Sequence, residues 1–163
     1  MKTIGMAAVL SIIVAAPAAA QHQHEQSHAQ KDSAFHAMQA RGRIAMGVDQ
    51  YTSTHVFEDL PDGGRIELQR DVDDAEGVKA IRAHLREIAG VFAKGDFSTP
   101  AFVHMREVPG TQVMSKKHMV ITYTFRELPR GGEVRIRTKD PEAIKAIHEF
   151  LAFQRSDHRA GQH

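Results

Sequence analysis

Histidine and methionine are the residues of this chain whose side chains could bind a transition metal. The sequence holds 11 histidines and 7 methionines but no cysteine. Imidazole nitrogen and thioether sulfur together suit copper, because sulfur favours the reduced ion and imidazole accepts either oxidation state. The stretch QHQHEQSH near the start of the chain concentrates three of the histidines. We therefore take copper, or a related transition metal, as one candidate cofactor.

The candidate metal ligands combine this histidine-rich stretch with residues that follow it. They are His22, His24, His28, His36, Met38, Met46 and His55. A histidine-rich tail binds Ni, Zn or Cu with little specificity, and methionine is also common in protein cores. The dipeptide His-Met occurs twice more, but adjacent residues of a strand point to opposite faces and could not share one ion there. We expect its methionines, Met105 and Met119, to be packing residues.

Asp49 and His55 are the best acid–base pair that the sequence offers to an enzyme. Imidazole transfers protons near neutral pH, and a carboxylate can assist it. The sequence has no Gly-x-Ser-x-Gly or His-Glu-x-x-His motif, no phosphate-binding loop and no cysteine nucleophile. These absences favour a binding protein over an enzyme.

A duplicated segment defines the elements that must position these side chains. THVFEDLPDGGRIELQ at residues 54–69 returns without a gap as TYTFRELPRGGEVRIR at residues 122–137, an offset of 68. Apolar and polar residues alternate on both sides of each Pro-x-Gly-Gly turn, which is typical of a β-hairpin, and we expect the glycines to supply positive φ angles. VKAIRAHL at 78–85 and IKAIHEFL at 144–151 predict a helix after each hairpin, at an offset of 66. We expect Asp73 or Asp74 to cap the first helix, and Asp140, followed by proline, to cap the second.

The repeated unit predicts an α+β fold in which two strand–strand–helix (ββα) repeats form a four-stranded antiparallel sheet with helices on one face. One hairpin and one helix bury too little apolar area to be stable alone, whereas two copies can close a common core. A short N-terminal helix, capped by Ser33 and ending near Met46, precedes the first repeat. The connector at residues 96–117 is either a packed accessory element or a functional loop.

Positions at which the two copies differ are candidates for function, because the shared fold accounts for positions that agree. The clearest difference lies on the inner face of the sheet, where His55 corresponds to Tyr123. A buried imidazole needs a polar partner. His55 is therefore either a core histidine bonded to the backbone or a carboxylate, or a residue that binds a ligand or proton.

The start of the chain predicts export. MKTIGMAAVLSIIVAAPAAA has the lysine, short apolar run and small residues of a secretory signal peptide, so we expect cleavage after Ala20. The protein would then be periplasmic or secreted, with no membrane span in the mature chain. Residues 21–33 lack an apolar period and are predicted to be disordered. Residues 34–157 form one domain with repeats at about 54–93 and 122–154, and residues 158–163 form a flexible C-terminus.

The charge balance limits the partners. The 21 Lys and Arg residues nearly equal the 20 Asp and Glu residues, which disfavours nucleic acid or an anionic membrane. A small molecule, a metal ion or another protein remains as partner. We therefore predict an exported binding or interaction protein of unknown ligand. Copper binding, and an enzyme that uses Asp49 and His55, are the alternatives.

One resemblance to a known family supports this interpretation. AFHAMQARGRIAMGVDQYTSTHVF, with GGRIELQRD, IRAHLREIAGVFAKGDF and LPRGGEVRI, resembles a family of small exported bacterial proteins of uncharacterised activity. The resemblance covers the chain after the tail and is most specific over residues 46–64. It implies export and this fold, but no activity. Members of that family often carry the label aspartate carbamoyltransferase. The label does not fit this chain, because that enzyme looks like a two-domain protein about twice this length with a Ser-Thr-Arg-Thr phosphate loop, and this sequence has neither feature.

Overall fold

The computed structural model describes residues 18–49 and 52–160, so most of the predicted signal peptide lies outside the described residues. The helices are α1 (Ala18–Met46), α2 (Ala75–Phe92), α3 (Ser98–His104), α4 (Thr111–Lys116) and α5 (Pro141–Asp157). The strands are β1 (Ser53–Leu60), β2 (Gly63–Arg70), β3 (Thr122–Leu128) and β4 (Gly131–Arg137), with one 3₁₀ turn (His118–Val120) before β3. The predicted α+β class and ββα repeats are confirmed.

The four strands form one antiparallel sheet in the order β1-β2-β4-β3, so the second strands of the two hairpins pair at its centre. In this pairing Ile66 lies opposite Val134. These two residues occupy the same position of the repeat, because their numbers differ by the offset of 68. An approximate twofold axis therefore passes between them and relates the two hairpins.

Each helix of the repeat packs on the hairpin of the other repeat. Helix α2 lies mainly on β3 and β4, and helix α5 lies on β1 and β2. Arg82 of α2 donates hydrogen bonds to the carbonyls of Leu128 (2.8 Å) and Gly131 (3.0 Å) at the second turn. His148, the equivalent residue of α5, bonds to the carbonyls of residues 60 and 63 at the first turn, both at 3.0 Å. This crossover, in which each helix covers the hairpin of the other repeat, joins the two repeats into one folding unit.

The core lies between the inner face of the sheet and these two helices. The predicted alternation places Phe57, Ile66, Leu68, Val134 and Ile136 inward, and all five are buried. Phe125 is only half-buried, because β3 is an edge strand, and the guanidinium of Arg86 lies 4.7 Å from its ring centre. The helix starts agree with the sequence: Asp74 caps α2, and Asp140 caps α5 with proline in its first turn.

The glycines of the hairpin turns act mainly by allowing close approach, which differs from the sequence expectation. Of the four, Gly63 alone has a positive φ, of 138°. A Cβ at Gly131 would lie 1.9 Å from the carbonyl oxygen of Leu68 across the central strands. At the equivalent Gly63 it would lie 2.3 Å from the carbonyl oxygen of Ile136. The absent side chains therefore permit the central β2–β4 contact.

The segments outside the repeats differ most from the sequence predictions. Helix α1 begins at Ala18 instead of Ser33, so residues 21–33, which were expected to be disordered, lie within this helix. Residues 18–33 contain no glycine or proline and are rich in alanine and glutamine, which favour a helix. The chain divides into two compact units at Asp32–Ser33, and the following description concerns the second unit. No helix among the described residues is long and apolar enough to cross a membrane.

The connector is a packed accessory element. Its two short helices, α3 and α4, and the segments beside them bury Phe97, Val103, Val108 and Met114. The predicted flexible C-terminus is partly wrong, since His158 is only 7% exposed, while residues 161–163 lie outside the described residues. His158 is buried because it follows α5 directly and packs against the rings of β1 and α3.

Replacement of Arg82 by methionine tests the crossover. Arg82→Met keeps the aliphatic stem but removes the donors to the second turn, and we expect a loss of about 2 kcal/mol in the free energy of unfolding. Lys79→Met is the control, because Lys79 is exposed on the same helix and should change the stability by less than about 0.5 kcal/mol. Urea unfolding measures both. Equal stabilities of the two variants would contradict the crossover contact.

Replacement of Gly131 by alanine tests the close approach of the central strands. The added Cβ would overlap a backbone oxygen that cannot move alone, so we expect Gly131→Ala to lose about 3 kcal/mol or more. Gly90→Ala, in the middle of α2 with open space around its Cβ, should instead gain up to about 1 kcal/mol. Thermal unfolding of both variants is the measurement, and a stable Gly131→Ala protein would disprove the argument.

Candidate functional site

A pocket of about 80 Å³ lies on the inner face of the sheet, among residues of six elements. Strands β1 and β2 and helices α2 and α5 belong to the repeats, whereas α1 and α3 do not. The walls are mostly apolar and include Gly42, Ala45, Met46, Phe57, Ile66, Leu68, Leu85, Ile88, Phe92, Pro100, Val103 and Phe150. An apolar cavity of about 150 Å³ holds a benzene molecule, so this space encloses roughly half of such a ligand. This size and lining suit a small organic molecule.

Three of the polar wall residues lie at helix positions where the other repeat has an apolar residue. Helix α2 contributes His84, Ile88 and Phe92, and the corresponding positions of the second repeat hold Phe150, Gln154 and His158. Residues four apart lie on one face of a helix, so each set forms a stripe toward the pocket. Each pair of positions carries one apolar and one polar side chain. The same comparison that identified His55 would have found this swap if it had been extended to the helices.

His104 is the buried polar centre of one wall. Its Nδ1 lies 2.5 Å from Oδ2 of Asp157 and its Nε2 lies 3.0 Å from Oε1 of Gln154. The His104 side chain is 1% exposed, and Arg106 also approaches Asp157, at 3.3 Å. Both ring nitrogens thus face oxygen atoms, and the guanidinium of Arg106 carries the charge opposite to that of Asp157. The charge of Asp157 is therefore balanced within the protein.

His158 lies between two other imidazoles. Its ring centre is 6.0 Å from that of His55, with nearly parallel planes, and 5.1 Å from that of His104. Burial, followed by the charges of His55 and His104, lowers the pKa of His158 to about 3. Burial also lowers the pKa of His84, against the opposing charge of Glu87. Both shifts favour the neutral form of the ring, in His84 and in His158.

His55 supports the pocket without lining it. It is 8% exposed, its Nδ1 lies 3.2 Å from the carbonyl oxygen of Ser53, and its ring stacks on His158. This agrees with the interpretation of His55 as a core histidine bonded to the backbone. Asp49, its predicted partner in an enzyme, lines a separate polar groove with Arg70 and Asp74. The acid–base role of Asp49 and His55 stays a prediction.

The predicted metal ligands are scattered along α1 and β1. Met38 and Met46 are buried, with Met46 in the pocket wall, whereas His36 is exposed. The side chains of His22, His24 and His28 lie outside the described residues. Among the side chains that the structure describes, no three from His, Asp, Glu and Cys are grouped to hold an ion. Copper binding stays a prediction.

The expectation that Met105 and Met119 pack in the core is wrong. Met105 is 68% exposed and Met119 is 84% exposed. Met105 follows the end of α3 in a left-handed conformation with φ 51°, and Met119 lies in the 3₁₀ turn before β3. Both belong to short connecting turns, where the alternation of a strand does not apply.

Comparisons with known proteins add no family. A scan against models of protein families, a search of curated proteins and a search of solved structures found no match for this chain. The resemblance to small exported bacterial proteins therefore stays a prediction from the sequence, and the site has to be interpreted from its own geometry.

Replacement of His158 tests the buried imidazole. The unfolded chain binds a proton at this residue below a pKa of 6.5, whereas the folded protein does so only near 3, so stability falls as the pH falls below about 6.5. At pH 5 the loss from this residue is about 2 kcal/mol. His158→Phe, which copies the equivalent Phe92, should reduce the loss between pH 7.5 and pH 5 by that amount.

Urea unfolding at the two pH values measures the effect of His158→Phe. His36→Gln serves as the control because His36 is exposed on α1, and it should keep the pH dependence of the natural protein. An unchanged pH dependence in His158→Phe would show that the folded protein does not keep this imidazole neutral.

Proposed function

We propose that this chain is an exported binding protein that takes a small, largely apolar molecule into the pocket between the sheet and the connector helix α3. The observation that carries the proposal is the space itself, which is lined by apolar side chains and edged by a few buried polar groups. Pockets that bind small molecules combine these two features. Export rests on the signal-peptide pattern of residues 1–20.

The pocket lowers the stability of the protein in two ways. A space of this volume inside a core costs on the order of 2 kcal/mol relative to a filled one. Gly42, which is buried in its wall, costs up to about 1 kcal/mol more because glycine weakens the helix that contains it. A Cβ at Gly42 would meet its nearest neighbour, Met46, at an ordinary 3.8 Å. A larger residue would therefore fit there, which argues that the space serves binding.

Replacement of Gly42 by leucine tests the binding function. The leucine side chain should occupy the pocket, and the substitution removes a glycine from α1. We therefore expect Gly42→Leu to be more stable and to lose binding of toluene, a small apolar probe. Gly90→Leu is the matched control: it makes the same change at an exposed position of α2 and should bind toluene like the natural protein.

Titration with toluene, followed by NMR shifts of the methyl groups of Ile66, Leu68 and Leu85, measures this binding. Saturable shifts in the natural protein and in Gly90→Leu, but not in Gly42→Leu, support the proposal. The proposal fails if toluene perturbs none of these methyl groups, or if Gly42→Leu binds it as tightly as the natural protein does.

A further inference from the structure

The pocket has a polar end in which the described residues place no carboxylate, ammonium or guanidinium group. Its polar wall residues are His84, Thr99, His104, Gln154 and His158. No Asp, Glu, Lys or Arg among the described residues lines it. The carboxylate of Asp157, which contacts the wall residue His104, is also bound by Arg106. A charged ligand would therefore lose its hydration without gaining an opposite charge, which is costly in an apolar site.

Gln154 is a polar wall residue with one end of its side-chain amide in a hydrogen bond and the other end without one. Its Oε1 lies 3.0 Å from Nε2 of His104, and this contact orients the amide group. The amide nitrogen of Gln154 is then left as a donor at the pocket wall, and the residue is only 5% exposed. The ring of His158, neutral at pH 7, lies in the same wall one helical turn further along the chain. Together these groups suit one neutral polar group of a ligand.

We propose that the ligand is a neutral amphipathic molecule with one hydroxyl or carbonyl group, seated against Gln154 and His158, on a small apolar body. This inference rests on the proposed function of the pocket. The oxygen accepts a hydrogen bond from the amide of Gln154. The apolar body contacts the walls formed by Phe57, Leu85 and Phe92. Carboxylates and amines of the same size are excluded by the cost of removing their water.

Three ligands with one tail and different heads test this inference at pH 7.5. They are hexan-1-ol, hexanoate and hexylammonium, and NMR titration of the same pocket methyl groups gives their dissociation constants. We expect hexan-1-ol to bind at least about tenfold more tightly than either charged compound. If hexanoate or hexylammonium bound as tightly as the alcohol, the inference that the ligand has a neutral head group would be overturned.

Replacement of Gln154 by methionine tests the seat of the head group. Gln154→Met keeps the approximate size of the side chain and removes the donor, so hexan-1-ol should bind about fivefold more weakly while toluene binds as before. Gln39→Met is the matched control, because Gln39 is also buried but lies outside the pocket wall, and it should leave both affinities unchanged. The position of the head group at Gln154 would be overturned if Gln154→Met weakened the binding of hexan-1-ol and toluene equally, or weakened neither.

The two levels of the argument fail separately. If toluene binds but hexan-1-ol is not preferred over the charged hexyl compounds, the inference of a neutral head group is refuted, and the apolar pocket remains the binding site. Absence of saturable binding for toluene and all three hexyl compounds refutes the binding function of the pocket itself. If Gln154→Met does not fold, the comparison of the three heads on the natural protein still decides the inference.

Discussion

Each hairpin of this protein is covered by the helix that belongs to the other hairpin, and the rest of the structure depends on that exchange. Residues Ile66 and Val134, equivalent in the two repeats, pair at the centre of the sheet, and the approximate twofold axis between them sends α2 to β3–β4 and α5 to β1–β2. Arg82 and His148 then bond to equivalent turn carbonyls of the opposite hairpin. A single repeat would leave its apolar face uncovered.

The pocket exists because this symmetric frame carries asymmetric side chains. At three equivalent helix positions, one repeat has an apolar residue and the other a polar one. The residues that agree between the repeats, such as Phe57 and Phe125, serve the common frame, whereas the polar members of these three pairs face the pocket in one repeat only. Helices α1 and α3, which have no counterpart in the repeats, cover the side of the frame that holds the polar groups.

Electrostatic balance inside the pocket wall limits what it can accept. His104 and Asp157 come from different elements and meet at 2.5 Å, which compensates a carboxylate next to an apolar space. His158 stays neutral because water is excluded from it and because two other imidazoles lie beside it. The wall can therefore present hydrogen-bonding groups while the space keeps no net charge. Under the proposed function, this combination would select ligands by polarity and size instead of charge.

Much of the frame could be predicted from local patterns, and most of the site could not. Alternation predicted which residues of β1, β2 and β4 face inward, and the helix starts at Asp74 and Asp140 followed from capping preferences. These patterns act over a few residues, so they are visible in the sequence. The twofold repeat was visible for the same reason, because equivalent residues keep equivalent neighbours.

The sequence by itself therefore determined the repeat and the pattern of strands and helices, and it identified His55 as a candidate functional residue. The tertiary structure alone decided the strand order, the exchange of helices and the meeting of His104, Gln154 and His158 in one wall. The physical reason is that these contacts join residues about 50 positions apart. Such contacts depend on how complete elements pack, and no local periodicity encodes which buried histidines will become neighbours.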